Sequence, residues 1–258
     1  MNEEIHNKFL RVTPKFCAGC GNEKIVDSII LAIDRLYGSM EDFVFLSGIG
    51  CAAWIPSPHI KADTIHTTHG RPITFATGVK LTNPNLKVVV ISGDGDLAGI
   101  GGNHLIHAAR RNIEITVICV NNLVYGMTGG QLSPTTPHRA ITSTTLRGNL
   151  EYPFDLARLV ANAGASYAAR WTTSHKGQLK SSIEKALKKG QKGFAFVEVI
   201  SPCTTQFTRR NLKAFQAIKD ELELGELIDV KREGFVEKIR SNIKENHPMG
   251  VKSCGLKS

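Results

Sequence analysis

Lys87 to Gln131 reads KVVVISGDGDLAGIGGNHLIHAARRNIEITVICVNNLVYGMTGGQ, and this stretch decides the fold. Val88 to Ile91 is a short β-branched run of the kind found in buried parallel strands. It ends in Ser92-Gly93-Asp94-Gly95-Asp96. A helical pattern follows, with Leu105, Ile106 and Ala109 apolar and Arg110-Arg111 closing the last turn, where cations complement the helix dipole. Ile115 to Val120 predicts the next strand, which ends in Asn121-Asn122. One βαβ unit therefore places carboxylates and amides at the carboxyl ends of two parallel strands, where open α/β sheets bind ligands.

A glycine turn before a helix lets backbone N–H groups approach a phosphate. Asp94 and Asp96 would repel a bare diphosphate, and a hard divalent cation resolves that conflict. Mg²⁺ takes oxygen ligands, commonly one or two carboxylates together with substrate phosphates. Asp94 and an amide oxygen of the Asn pair supply such ligands. The rival reading is a nicotinamide site, because Gly93 to Ala98 satisfies G-x-G-x-x-G/A after a strand. That fingerprint wants an acidic residue at the end of the next strand to hold a ribose. Asn121-Asn122 stands there instead.

GDG, a spacer and NN together resemble the thiamine diphosphate motif of transketolases, pyruvate decarboxylases and 2-oxoacid oxidoreductases. The resemblance implies Mg²⁺ held by Asp94, the Asn122 side chain and the Val124 carbonyl. It places Gly95, Asp96, Gly126 and Met127 along the diphosphate.

The chain has 258 residues, 41% of them hydrophobic, enough for one large α/β domain with a sizeable core. No apolar run reaches membrane-spanning length, and MNEEIHNKFLRV lacks a signal-peptide core, so a cytoplasmic location is expected. The net charge is +9 and the pI about 9.3. With no nucleic-acid module in view, that balance favours an acidic partner protein.

Along the chain, 1–16 reads as a polar lead. Ile25, Ile29, Ala32, Ile33 and Leu36 share one face of a helix that ends near Tyr37-Gly38. Phe43 to Leu46 is a strand running into Ser47-Gly48-Ile49-Gly50-Cys51. Thr64 to Thr68 is another, ending at His69-Gly70-Arg71, and Pro72 opens a helix to Leu81. Residues 126–149 lack periodicity, which in a compact domain marks a functional or mobile stretch. Helix is expected over 155–161 and 176–189, and strand over 167–170 and 194–200; the lysines of 176–192 read as a solvated face. Beyond Cys203 the chain is highly charged and predicts two helices broken at Gly225 and Gly234. The expected organisation is a doubly wound, mostly parallel sheet over 1–205 with a helical C-terminal extension over 206–258.

Six cysteines are present: Cys17, Cys20, Cys51, Cys119, Cys203 and Cys254. Cys17-x-x-Cys20 alone fits a redox pair, half a zinc site or part of an iron–sulfur site. Cys51 and Cys203 both follow strand ends, and one close pair plus two distant loop cysteines can surround a [4Fe–4S] cluster. Cys119, inside an apolar strand, reads as a small buried hydrophobe. Cys254 reads as unliganded.

FCAGCG, SGIGC, HTTHGRPITFATGVKL, GDGDLAGIGGNHLIHAARRN, NNLVYGMTGGQLSPT and SPCTT occur in that order over 16–205. Together they resemble the β subunit of the 2-oxoacid:ferredoxin oxidoreductases. The resemblance implies a diphosphate-binding-type thiamine fold and a [4Fe–4S] cluster on Cys17, Cys20, Cys51 and Cys203. Ile49, Gly50, Cys51 and Ala52 would line the thiamine cofactor and His69 would contact it. His69 and Arg71, at a strand end, are the candidate catalytic residues, Arg71 as the partner of a substrate carboxylate. Trp54 and His59 are candidates for shaping the substrate pocket; His66, His104 and His107 read as structural.

The chemistry agrees with the set. Thiamine stabilises the carbanion left when a 2-oxoacid loses CO₂, and only an oxidative variant needs a one-electron acceptor beside it. The resemblance implies coenzyme A as acyl acceptor and ferredoxin as electron acceptor. It also implies an α subunit that supplies the glutamate on the pyrimidine side, with small γ and δ subunits as further partners. HTTHGR with YGMTGGQ is most similar to the 2-oxoglutarate branch; pyruvate and branched-chain 2-oxoacids stay open. The rival readings are a thiamine decarboxylase subunit and a zinc-stabilised nucleotide-binding module.

Overall fold

The structure, a computed structural model, describes residues 2–246; Cys254 lies outside them. The strands are β1 (Phe43–Ser47), β2 (Asp63–His66), β3 (Lys87–Gly93), β4 (Thr116–Asn121), β5 (Val124–Tyr125), β6 (Gln131–Leu132), β7 (Tyr167–Thr172), β8 (Ala195–Ile200) and β9 (Gly225–Asp229). The helices are α1 (Glu3–Phe9), α2 (Asn22–Tyr37), α3 (Pro72–Thr82), α4 (Gly102–Arg111), α5 (Leu156–Ala163), α6 (Lys176–Lys189), α7 (Phe207–Arg210), α8 (Leu212–Glu221) and α9 (Phe235–Asn246). The main sheet runs β2-β1-β3-β4-β8-β7-β9. It is parallel except for β9, which lies antiparallel on β7.

Both faces of the central sheet are covered, which explains why β1, β3 and β4 are nearly continuous apolar runs. Phe43, Phe45, Val89 and Ile91 point into one core with α2 and α6. Val44, Leu46, Val88 and Val90 point into the other, with α3, α4 and α5. Among the described residues no helix is long and apolar enough to cross a membrane.

Three segments depart from the expected pattern. The polar lead carries α1, capped by the Asn2 side chain, which accepts from Ile5 N at 2.9 Å; Phe9 and Leu10 are buried against the α2 face. The stretch 126–149 supplies the turn and second strand of one short hairpin, β5 with β6, with Gly129 and Gly130 at positive φ.

The third departure is in the extension. Gly225 interrupts the helix as expected, but it opens a strand, so the prediction of helices alone is corrected. β9 is acidic where α6 is basic: Lys185 pairs with Glu226 at 2.7 Å and Asp229 at 2.5 Å, and Lys189 pairs with Asp229. The lysines of α6 are therefore not simply a solvated face. Each such surface pair is worth ~1 kcal/mol or less, so apolar contact does most of the anchoring. Phe207, Phe215 and Ile218 pack on Leu123, Val124, Ala140 and Ile200. Buried Glu114 accepts from Val236 N at 3.0 Å and Glu237 N at 2.9 Å, capping α9. Gly234 permits that approach, since a Cβ there would stand 2.0 Å from Glu114 Oε1.

The described part of the extension, 206–246, is thus built into this subunit. Phe207→Ala is expected to lower unfolding free energy by ~3–5 kcal/mol, the usual cost of deleting a buried Phe. Urea denaturation followed by circular dichroism measures it; an unchanged midpoint would show that the extension does not pack as described.

Candidate functional site

The loops leaving the carboxyl edge of the sheet converge on Asp96. This side chain is buried and its oxygens are taken by the protein. Oδ1 accepts from Gly70 N at 2.7 Å and Ile49 N at 3.2 Å; Oδ2 accepts from Ser92 Oγ. His69 Nδ1 lies 2.6 Å from Oδ1, off the line of a good hydrogen bond. Gly48 is obligatory here, because a Cβ would stand 1.9 Å from Asp96 Oδ2. The Asp96 carboxylate is therefore committed to the protein's own donors, and the residue also lines the cleft.

Asp94 is equally buried but differently held. Oδ2 accepts from Thr135 Oγ1 at 2.6 Å and Ser133 Oγ at 2.7 Å, and Oδ1 accepts from Asn122 N at 3.3 Å. Burial pushes its carboxyl up to about 6, although Thr135, Ser133 and the Asn122 N–H pull the other way. A carboxylate so desolvated wants a cation.

Asp94, Asn122 and Val124 line one cleft with Ile49, Gly50 and His69, and with Gly95, Gly126 and Met127. Gly50, at φ +116° with open space where a side chain would be, provides bare backbone at its wall. Tyr125 closes another side: its hydroxyl donates to Gly95 O at 3.1 Å, and a Cβ on Gly95 would strike the ring at 2.4 Å. The donor set suits a hard cation with phosphate groups. The cleft holds only about 80 Å³, far less than the ~300–1,000 Å³ of an ordinary ligand pocket.

A second cavity, of about 300 Å³, is lined by Cys17, Cys20, Cys51 and Cys203. Its loops are tied together: Thr204 Oγ1 donates to Ala18 O at 2.8 Å, and Asn22 Nδ2 to Cys51 O at 3.4 Å. Gly21 lets the first loop seat on the last, since a Cβ would stand 2.2 Å from Ser201 Oγ. Among the described residues, no three His, Cys, Asp or Glu converge as they would on a single metal ion. The thiols instead surround a space, which a four-iron cluster, larger than one ion, requires. The Cys51 thiol is pushed up to about 11 by burial and then by its neighbours Cys203, Cys20 and Cys17. Cys119 is buried in β4 and lines neither cavity.

Arg71 lies outside the cleft: Nη1 donates to His104 Nε2 at 2.9 Å and Ile100 O at 3.2 Å. Burial, then the charge of Arg71 and His107, holds His104 below the usual imidazole range, as suits an acceptor. His66 contacts Ser47 Oγ at 3.2 Å. His59 is buried against the Trp54 carbonyl at 2.6 Å, and neither residue lines the two cavities. Ser92, Ser133, Thr135 and Tyr125 had no sequence signal beyond their place near the motifs.

Residues 48–199 match the family model for the thiamine pyrophosphate enzyme, C-terminal TPP binding domain. The chain is 54% identical over 215 residues to the 2-oxoglutarate synthase subunit KorB of Methanothermobacter thermautotrophicus, covering 81% of this chain and 74% of that one. It is 45% identical over 253 residues to the subunit of that name from Methanocaldococcus jannaschii, covering 89% and 93%. Its fold superposes with a TM-score of 0.85 on the 2-oxoglutarate:ferredoxin oxidoreductase from Magnetococcus marinus, at 28% identity, covering 96% of this chain and 92% of that one.

The crowding of the thiols is directly measurable. With its thiols free, Cys51 is expected to alkylate at least ~10-fold more slowly at neutral pH than an exposed thiol, because burial and the neighbouring thiols, which push it up to about 11, leave less thiolate. The rate should climb as pH rises toward 11. Iodoacetamide labelling with peptide mass spectrometry reads it; rapid labelling of Cys51 at pH 7 contradicts the arrangement.

Proposed function

Because the chain belongs to the family of 2-oxoacid:ferredoxin oxidoreductase β subunits, we propose that it carries thiamine diphosphate, Mg²⁺ and one [4Fe–4S] cluster. With an α subunit it oxidises 2-oxoglutarate, forming an acyl-CoA and CO₂ and passing two electrons to ferredoxin. The observation that carries this reading is the shared wall of the two cavities: Cys51, Asn122, Gly126 and Met127 line both.

Asp94, Asn122 and Val124 would hold the cation. Ile49, Gly50, Cys51 and Ala52 would line the thiamine cofactor, Gly95, Asp96, Gly126 and Met127 would lie along its diphosphate, and Cys17, Cys20, Cys51 and Cys203 would ligate the cluster. When bound, the thiamine supplies a sink for the carbanion of decarboxylation and the cluster a one-electron acceptor. His69, held beside Asp96 and edge-on to Tyr125, positions its ring at the cleft and can hold a proton there. Arg71 in this reading acts on the α3–α4 side rather than in the cleft.

The size of the cleft supports a partner. No glutamate lines it among the described residues, and Ile49 and Met127 at its rim are 40% and 50% exposed. An α subunit would cover that rim and supply the pyrimidine-side glutamate, with γ and δ subunits as additions. The +9 charge complements an acidic ferredoxin. We assign the cofactor machinery to residues 1–205 and the extension to 206–258, in a cytoplasmic enzyme.

The test is anaerobic purification of the full chain, alone and co-produced with its α subunit. About four irons with acid-labile sulfide are expected per chain, lost on Cys→Ser change at 17, 20, 51 or 203. Ferredoxin reduction should require the α subunit, coenzyme A and a 2-oxoacid, with 2-oxoglutarate fastest in a panel that includes pyruvate and branched-chain acids. Colourless protein with zinc on the thiols overturns the redox reading, turnover by the chain alone overturns the half-site, and another preferred acid overturns the substrate.

A further inference from the structure

Two charged residues sit where the sheet is otherwise apolar. Arg170 in β7 and Glu198 in β8 are each 1% exposed, are register partners, and join Nε to Oε2 at 2.7 Å. A buried ion pair is poor evidence for stability, because well-packed apolar residues in its place are often neutral or better. The rest of their bonding points elsewhere.

Glu198 Oε1 accepts from Asn121 Nδ2 at 2.7 Å. A carboxylate paired with a guanidinium only accepts, so the Asn121 amide nitrogen must face it. That fixes Asn121 Oδ1 on the other side, where it accepts from Leu123 N at 3.1 Å and meets Thr135 Oγ1 at 3.0 Å. Two consequences reach the cleft. Leu123 is held at φ +69°, a left-handed conformation that a branched side chain adopts at a cost, and this turn carries Asn122 and Val124. The Thr135 hydroxyl also stands 2.6 Å from Asp94 Oδ2. Behind the pair, Arg170 bonds Asp155 through Nη2 and donates to Glu223 O at 3.2 Å through Nη1.

We infer that Glu198 is a positioning residue for the cation site. Through Asn121 it sets the turn that presents Asn122 and Val124, beside the Thr135 hydroxyl that meets Asp94, while Arg170 anchors it. This rests on the reading of Asp94, Asn122 and Val124 as cation ligands. Partners one shell out from a metal commonly change its affinity by roughly 10–100-fold.

Glu198→Gln keeps the shape and reverses one donor. With its oxygen kept on Arg170, the new amide nitrogen opposes that of Asn121. The complex with the α subunit, stripped by chelation, is titrated with Mg²⁺ and thiamine diphosphate in a calorimeter. Roughly 10–100-fold weaker binding is expected for Glu198→Gln. Adding Asn121→Asp swaps donor and acceptor across the same contact and should restore most of it. The double change Arg170→Met with Glu198→Met should keep its unfolding temperature and still bind weakly. Wild-type affinity in Glu198→Gln, or failure of Asn121→Asp to rescue, overturns this inference alone. Absence of cation-dependent binding in the unaltered complex overturns the cation-site reading and this inference with it.

Discussion

The architecture of the site depends on one carboxylate. Asp96 follows β3, yet its oxygens bind backbone N–H groups from the loops after β1 and β2 and the Ser92 hydroxyl. Parallel strands end in loops with no ladder partners of their own, so their backbone groups must be satisfied in some other way. A single buried anion does this for several loops at once, and charge-assisted bonds of this kind are stronger than neutral ones. Ile49, His69 and Gly70 are thereby held against the glycine turn 93–95. Gly50 and Cys51 follow Ile49 directly, so the same anion helps to place the wall that the two cavities share.

Much of this was legible in the chain because it is written in short local rules. Uninterrupted apolar runs at 43–46 and 88–91 mark strands covered on both faces, and the structure covers them so. The order of glycines, acids and amides marked the cleft, and the close pair Cys17 and Cys20 with two strand-end cysteines marked the second cavity. What was missed is long-range. β9 is a strand because β7 offers an unpaired edge and α6 offers lysines, neither of which is local to 225–229. The capping of α9 by Glu114 joins residues more than a hundred positions apart. Ser133 and Thr135 lie in an aperiodic stretch, and only the fold brings them to Asp94. A subtler signal was available: Arg170 and Glu198 interrupt apolar strands, and a charge in a strand covered on both faces needs a partner.

Asp94 and Asp96 show how far identical chemistry can diverge over two residues. Two of the bonds to Asp96 come from backbone N–H groups, which cannot turn away. Two of those to Asp94 come from hydroxyls, and a Ser or Thr hydroxyl rotates to suit its surroundings. An approaching cation can therefore claim lone pairs on Asp94 while Ser133 and Thr135 reorient, whereas Asp96 cannot be released without parting the loops. Burial pushes the Asp94 carboxyl up to about 6, and a nearby positive charge favours the ionised form again. Asp96 is held by backbone donors that cannot turn away, and Asp94, the carboxylate of the proposed cation site, by hydroxyls that can.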